Sequence, residues 1–299
     1  MTYSIVARDE KTGEMGVAVQ SHFFSVGSVV TWARAGVGAV ATQAMVDMKY
    51  GPLGLEMMAG GKSAPEALDS LLKTDGKRET RQVAMVDSKG RVAAHTGSKC
   101  FPYAGNSGGK GFSCQGNIMR TPRVWTSMKR KFQESVGMPL AERLVAALEA
   151  GEKVGGDIRG KQSAALLIVG KEAKPTTWEG RLIELRIEDH PDPVPELKRL
   201  LRYQRGYDWV NRGDELLNSE KWEDALKAYR KGLELVPEVL ELKYWVGLSM
   251  LKTRARREGV QTLKEVFKKE KDWRKLTRSM VRAKVLVLSP KVRAELLGK

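Results

Sequence analysis

Apolar runs and turn signals divide the first 200 residues into blocks of strands and blocks of helices. The runs at 3–8, 15–20, 26–33 and 37–42 are predicted to be strands. Pairs such as Val29-Val30 and Val40-Ala41 make them apolar on both faces. Strands that leave one face in water alternate more cleanly, so this sheet is expected to be covered on both sides.

Helix signals follow this first block. Ser63 and Glu66 form a capping box ahead of a helix, Thr121-Pro122 opens another, and Pro139 precedes a third. Strands are predicted at 82–86, 91–95, 163–169 and 181–188, and a helix after Asp192. Residues 97–116 hold six glycines and are expected to form a mobile loop. Alternating blocks of strands and helices favour stacked sheets with helices outside over a βαβ fold.

The pattern changes after residue 206. Trp209, Gly213, Ala225, Tyr229 and Pro237 have the spacing of a tetratricopeptide repeat. A second, degenerate copy begins with a glycine 34 residues after the first, at 247, and residues 273–288 are expected to form a closing helix. A generic helical hairpin is the alternative interpretation. We therefore predict two domains, 1–205 and an all-α, tetratricopeptide-like 206–299.

The net charge of +16 is concentrated at the carboxyl end, where residues 201–299 hold 24 basic and 14 acidic side chains. Such a surface favours an acidic partner. Aromatic residues are sparse in its most basic part, 252–284, so stacking on nucleic acid is not expected. We predict a protein or peptide partner for this domain. Outer strands of the first domain could also pair between copies, which makes a homodimer an open possibility.

No apolar run reaches the roughly 18 residues of a membrane span, and without a charged segment followed by an apolar one at its start, the chain is not expected to carry a signal peptide. Two cysteines, Cys100 and Cys114, form no disulfide framework, and a cytoplasmic protein with free thiols is expected. The three histidines are not paired at ligand spacing, so we predict neither a metal nor a cofactor.

The second residue offers candidate chemistry. If Met1 is removed, Thr2 carries a hydroxyl and a free amine on one residue. The amine titrates near pH ~7.7–8 and can take the proton from the hydroxyl. A small second residue is also common in intracellular proteins, so Thr2 alone does not establish a nucleophile.

Several spaced motifs in the first 200 residues strengthen this hypothesis. They are SIVARD (4–9), GVAVQS (16–21), GVGAVATQA (36–44), YGP (50–52), HTG (95–97), QGN (115–117), QSAA (162–165) and DHPDP (189–193). Together they resemble the domain of unknown function 1028 family over roughly residues 2–200. The resemblance implies an α+β fold of the N-terminal-nucleophile (Ntn) hydrolase type, a four-layer αββα sandwich. The resemblance also implies that family members commonly have a threonine directly after the first methionine, and this favours Thr2 as nucleophile.

Three further residues are predicted to assist Thr2. Asn117 could donate its side-chain amide to an oxyanion, or simply cap a loop. Gln43, at the end of a predicted strand, could orient the substrate or be an ordinary polar residue at a strand end. Arg34 could lower the pKa of the amine, although its position favours an exposed turn arginine over this role.

Four residues are predicted to bind substrate. Ser21 and His22 follow the second strand, where Ntn folds place residues near the nucleophile. His95 ends another strand. Asp157, with Arg159, is expected to form an ion-paired loop that faces the site. Each of these residues also has a purely structural interpretation.

The sequence thus predicts a hydrolase of an amide bond, with peptide bonds included, in a small molecule or a peptide. Thr2 would be the nucleophile and its α-amine the base. The alternative is a scaffold without catalysis that keeps the fold and binds protein through its helical domain.

Overall fold

The computed structural model describes residues 2–298, which divide into two compact units, one ending at Leu201 and one beginning at Arg202. The boundary lies inside a helix, a few residues before the predicted boundary at 205/206. The first unit combines sheets and helices, and the second is entirely helical. Met1, on whose removal the predicted chemistry depends, lies outside the described residues.

The first unit contains a six-stranded antiparallel sheet, sheet 1, with the strand order β10-β9-β2-β1-β8-β7. Its strands are β1 (Thr2–Arg8), β2 (Met15–Ser21), β7 (Gly105–Gly109), β8 (Phe112–Asn117), β9 (Ser163–Val169) and β10 (Arg181–Ile187). The register places Thr2 between Ser21 of β2 and Asn117 of β8. The strand that begins at Thr2 is therefore internal and paired on both sides.

A second antiparallel sheet, sheet 2, has four strands in the order β3-β4-β5-β6. They are β3 (Thr31–Arg34), β4 (Gly38–Ala44), β5 (Arg81–Asp87) and β6 (Val92–Thr96). Gln43 of β4 pairs with Gln82 of β5, and Gln82 pairs with Thr96 of β6. Three polar side chains therefore lie in one row at the same end of this sheet.

The short helix α1 (Gly27–Val30) contributes Val30 to the apolar layer between the sheets. The helices that pack on the outer faces of the sheets include α2 (Tyr50–Ala59), α3 (Ala64–Thr74), α4 (Arg123–Glu134) and α5 (Leu140–Lys153). One apolar cluster joins sheet 1 to α4 and α5, and another joins sheet 2 to α2 and α3. A third lies between the sheets and includes Val6, Val17, Ala41 and Val86. Both sheets are thus covered on both faces, as the doubly apolar runs predicted.

Two local predictions were wrong. Residues 26–33 are not one strand, because α1 forms first and β3 begins only at Thr31. Residues 97–116 are not only a mobile loop, since they form β7 and most of β8. Their glycines permit close approach: a Cβ at Gly105 would lie 2.6 Å from the Trp125 ring, and one at Gly116 would lie 2.9 Å from Met119. Tight packing, not mobility, explains these two glycines.

The second unit is built from helices. The long helix α6 (Pro193–Asn218) enters it, and α7 (Trp222–Leu235), α8 (Leu240–Met250), α9 (Arg256–Lys269), α10 (Lys271–Arg282) and α11 (Pro290–Leu297) follow. The single closing helix predicted at 273–288 is wrong, because α10 ends at Arg282 and a separate helix begins at Pro290. None of the helices described between residues 2 and 298 is both long and apolar enough to cross a lipid bilayer.

Small residues let these helices approach one another, as the repeat-like spacing predicted. A Cβ at Gly213 would lie 2.4 Å from the ring of Tyr229, and one at Gly247 would lie 2.9 Å from Leu263. Tyr229 is fully buried and donates a hydrogen bond of 2.6 Å to Asp214 Oδ1. The paired-helix contacts therefore depend on the residues that define the spacing.

Candidate active site

The space between the two sheets changes character along its length. Most of it is filled by small aliphatic side chains. At the end where β1 begins, the same inward-facing positions are polar and buried: Thr2, Ser4, Ser21, Gln43, Gln82, Gln115 and Asn117. Burying polar groups costs free energy unless each finds a partner, so such a layer contributes less stability than an apolar one. Its concentration at one end marks a candidate active site.

Thr2 lies at the centre of this polar layer and is 3% exposed. Its hydroxyl donates to Ser21 Oγ at 3.1 Å. Its main-chain oxygen accepts from Gln43 Nε2 at 3.0 Å and, more weakly, from Asn117 Nδ2 at 3.5 Å. Side chains from β2, β4 and β8 therefore fix both the hydroxyl and the carbonyl of this residue.

Gln82 organises the amides around Thr2. Its Nε2 donates to the carbonyl oxygens of Gly105 and Gly116, at 3.1 and 2.9 Å. Because carbonyl oxygens only accept, they determine which end of the amide carries the nitrogen. Gln82 Oε1 is then free to accept from Gln43 Nε2 at 2.7 Å and from Asn117 Nδ2 at 2.9 Å. The backbone thus sets the orientation of all three amides.

Ser4 and Gln115 continue the network behind Gln43. Ser4 Oγ donates to Gln43 Oε1 at 2.6 Å. Gln115 Nε2 donates to Ser4 Oγ and to the Ala41 carbonyl, both at 3.2 Å. Ser4, Gln82 and Gln115 were not among the site residues predicted from the sequence. Their signal is position parity: each shares the inward face of its strand with a predicted site residue two positions away or directly across the sheet.

Asn117 adopts a different arrangement from the one predicted. Its Nδ2 is already committed to Gln82 and to the Thr2 carbonyl, which leaves no side-chain donor aimed at an oxyanion. Its Oδ1, in contrast, is buried and has no hydrogen-bond partner among residues 2–298. The Asn117 side chain can therefore offer a neighbour of Thr2 a hydrogen-bond acceptor, its Oδ1, but not a donor.

Asp157 lies beside the end of β2. It is buried, pairs with Arg159 at 2.7 Å, and accepts the main-chain N–H of His22 at 3.1 Å. The His22 side chain is exposed, and its Nδ1 lies 3.3 Å from the Lys161 carbonyl oxygen. Asp157 thus holds the chain that follows Ser21, while the His22 imidazole lies at the surface.

Arg34 and His95 are not brought to Thr2. Arg34 pairs with Gly38, at the far end of β4 from Gln43. Five residues of strand separate these positions, roughly 16 Å. His95 lies on the outer face of sheet 2, where Nε2 is 2.9 Å from the Arg78 carbonyl oxygen. Neither contributes to the polar layer.

On the opposite face of β1, Tyr3 donates a hydrogen bond of 2.6 Å to Glu152 Oε2. Burial, with the nearby Glu152 carboxylate, raises the pKa of Tyr3 well above its ordinary value. This phenol stays protonated and holds the outside of the strand. Within residues 2–298, no cluster of three His, Cys, Asp or Glu side chains is arranged to hold a metal ion.

Comparison with known proteins agrees with this arrangement of sheets. The sequence model described as "Family of unknown function (DUF1028)" matches residues 2–197. A crystal structure of a DUF1028 protein from Silicibacter pomeroyi is similar, with a TM-score of 0.60 and 29% identity, covering 67% of this chain and 88% of that one. Anbu (ancestral beta-subunit) from Yersinia bercovieri aligns with 66% of this chain and 92% of its own at 10% identity, but its TM-score of 0.33 carries no argument. No curated protein matches the chain.

Proposed function

The chain belongs to the DUF1028 family of unknown function, and from that premise we propose that its first unit is an N-terminal-nucleophile hydrolase of amide bonds. The observation that supports this most is that Thr2 is buried and hydrogen-bonded. A surface threonine needs no partners, whereas this one is buried and held at both its hydroxyl and its carbonyl. Such positioning is what nucleophilic catalysis requires.

In the proposed reaction the neutral α-amine of Thr2 accepts the hydroxyl proton as Oγ1 attacks the substrate carbonyl carbon. The protonated amine then gives that proton to the departing nitrogen, the C–N bond breaks, and an ester to Thr2 remains. Water, deprotonated by the same amine, attacks this ester, the bond from Oγ1 to the acyl carbon breaks, and the amine returns the proton to Oγ1 as the acid leaves. The reaction requires Met1 to be absent, because only then is the amine free.

Neighbouring residues supply orientation in this proposal. Ser21 Oγ, 3.1 Å from the hydroxyl, selects one rotamer of Thr2. Gln43 anchors the carbonyl. Asn117 Oδ1, which finds no hydrogen-bond partner within the described part of the chain, is a suitable acceptor for an N–H of the amine. Asp157 acts at a distance, by fixing the chain after Ser21. These are positioning residues, and Thr2 is the group that contacts the substrate carbon.

The layer order supports the same proposal at the level of the fold. Two antiparallel sheets face each other, and helices cover both outer faces. This layering supports the αββα sandwich of the Ntn-hydrolase type as part of the proposal. Fold alone does not establish catalysis, so the proposal depends on the chemistry of Thr2.

The test combines intact mass, N-terminal sequencing and covalent labelling of the purified full-length protein. We expect Thr2 to be the first residue and a small acyl ester, p-nitrophenyl acetate, to add one acetyl group there. Thr2→Ser should retain labelling and Thr2→Ala should lose it. Thr12→Ala, in the exposed turn after β1, is the matched control and should label normally. Retention of Met1 on the native protein would overturn the proposal.

A second candidate function belongs to the helical unit, as a binding module for an acidic peptide. Several of its cations form no salt bridge within residues 2–298, among them Lys268, Lys269 and Arg282. Binding of a labelled poly-glutamate peptide should weaken steeply with salt and with Lys268→Glu/Lys269→Glu. Unchanged binding in that variant would contradict this assignment.

A further inference from the structure

Large apolar side chains are exposed in a group at the end of the first unit where the polar layer lies. We refer to six of them as the apolar collar: Phe23, Phe24, Met45, Met48, Phe101 and Ile158. Phe24, Met45 and Phe101 are each more than half exposed, at 63, 57 and 56%. Exposed apolar groups gathered in one place usually mark a binding surface.

The collar is tied to the strand ends that hold Thr2. Phe23 and Phe24 follow Ser21 and His22, and the Phe23 carbonyl oxygen accepts from Ser163 Oγ at 2.5 Å. Ser163 is the cross-strand partner of Ser21. The backbone of this part of the collar is therefore attached to β9, two strands away from the strand that contains Thr2.

Met45 and Met48 follow Gln43 and come from sheet 2. The Met45 N–H donates to the Thr80 carbonyl oxygen at 3.2 Å, and its own carbonyl oxygen accepts from Arg81 at 2.5 Å. The Met45 backbone is thus held next to β5, which contains Gln82 of the amide network, and Met48 follows three residues later in the chain. The second sheet contributes its own side of the collar.

Phe101 and Ile158 complete the collar beside Asn117. The Ile118 N–H donates to the Phe101 carbonyl oxygen at 3.4 Å, and the Ile158 N–H donates to the Ile118 carbonyl oxygen at 3.2 Å. Both residues are therefore attached to the position that follows Asn117. Loops from both sheets thus converge around one buried polar centre.

Resting on the proposed function, we infer that the collar binds the acyl part of the substrate, so the amides cleaved carry a medium or long alkyl chain or an aromatic ring. The polar groups around Thr2 are uncharged, and Asp157 is already paired with Arg159. A neutral amide suits this centre, and an apolar acyl group suits the collar. A short or charged acyl group would leave these side chains in water.

The test uses acyl transfer to Thr2, because it does not depend on the unknown leaving amine. The full-length protein is treated with p-nitrophenyl acetate, hexanoate or octanoate, and the mass added at Thr2 is followed with time. In this step Thr2 Oγ1 bonds to the carbonyl carbon, p-nitrophenolate leaves, and the hydroxyl proton passes to the amine. Full burial of each added methylene accelerates acylation up to about fourfold, so octanoate should exceed acetate at least tenfold.

Collar variants make the inference specific. Phe24→Ser and Phe101→Ser should reduce the octanoate-to-acetate ratio at least fivefold. Both side chains are exposed, so the fold should tolerate the change, which circular dichroism verifies. Trp178→Ser is the matched control: Trp178 is 68% exposed in the β9–β10 turn, at the opposite end of the sheet from Ser163. Its ratio should equal that of the wild type.

The outcomes separate the inference from the function it rests on. Acetylation of Thr2 without any chain-length preference would overturn the collar assignment and leave the hydrolase proposal standing. No acylation of Thr2 by any ester would remove both. If the collar variants convert a dimer to a monomer without altering the ratio, the collar is a contact between copies of this chain, and the inference is wrong.

Discussion

The side-chain nitrogen of Gln43 and the main-chain oxygen of Thr2 lie 3.0 Å apart, so sheet 2 holds the first described residue of an internal strand of sheet 1. The contact is buried, and each partner belongs to a different sheet. Strand pairing fixes Thr2 within sheet 1, but its distance from sheet 2 would otherwise depend on packing alone. The hydrogen bond to Gln43 fixes that distance as well.

Gln43→Glu tests this contact without changing side-chain shape. The carboxylate has no donor for the Thr2 carbonyl or for Gln82 Oε1. We expect unfolding free energy to fall by about 1–3 kcal/mol and acetylation of Thr2 to slow at least tenfold. Urea unfolding and labelling rates measure the two effects. Gln133→Glu, on the exposed face of α4, is the control; a folded Gln43→Glu protein that labels at the wild-type rate would contradict the positioning role.

Gln82 and Asn117 should be energetically coupled, because Asn117 Nδ2 donates to Gln82 Oε1 at 2.9 Å. A double-mutant cycle with Gln82→Ala and Asn117→Ala should give a coupling energy of about 0.5–3 kcal/mol by urea unfolding. The same cycle between Gln82 and the surface residue Gln133 should be additive. Additivity at Gln82 and Asn117 would mean that the amide network does not act as a unit.

A pH dependence follows from Asp75. The Arg81 guanidinium, 2.8 Å away, holds the pKa of this carboxyl at about 2, below its ordinary value of 3.8. A lowered folded pKa means that the ion pair stabilises the protein fully above the unfolded pKa and that this contribution is lost as pH falls through about 2. Urea unfolding at pH 5 and pH 2.5 should show a smaller acid-induced loss in Asp75→Asn. Asp69→Asn, exposed on α3, should behave like the wild type.

Gly213→Ala sets two effects against each other in the helical unit. Alanine favours a helix interior by up to about 1 kcal/mol. The added Cβ would lie 2.4 Å from the buried Tyr229 ring, and such overpacking typically costs about 1–3 kcal/mol. We expect overpacking to dominate and thermal unfolding to shift downward. Asn211→Ala, exposed in the same helix, is the control and should be neutral or stabilising; a stabilised Gly213→Ala would show that the helices can separate.

Strand ends were the part of the site that the sequence predicted best. Thr2, Ser21, Gln43 and Asn117 each stand at the end of an apolar run, and antiparallel pairing brings such ends together. Arg34 shows the limit of that reasoning. It too ends a strand, but in an antiparallel hairpin the end of one strand faces the start of the next, so it lies far from Gln43.

Gln82 could not be identified in the same way. A glutamine that begins an apolar strand is ordinary, and its importance comes from two carbonyl oxygens of β7 and β8 that are distant in sequence. The strands β7 and β8 were not predicted from the sequence for a related reason. Glycine usually indicates a flexible turn, and only the Trp125 ring packed against Gly105 shows that it serves close contact here.

The pairing of Thr2 on both sides has a practical consequence for anyone who produces this protein. An affinity tag fused ahead of Thr2 would keep its α-amine in a peptide bond, even if the strand still paired with β2 and β8. Gly298, exposed after α11, is far from those strands in sequence. Recombinant versions meant for activity screening should therefore carry their tags at the carboxyl end.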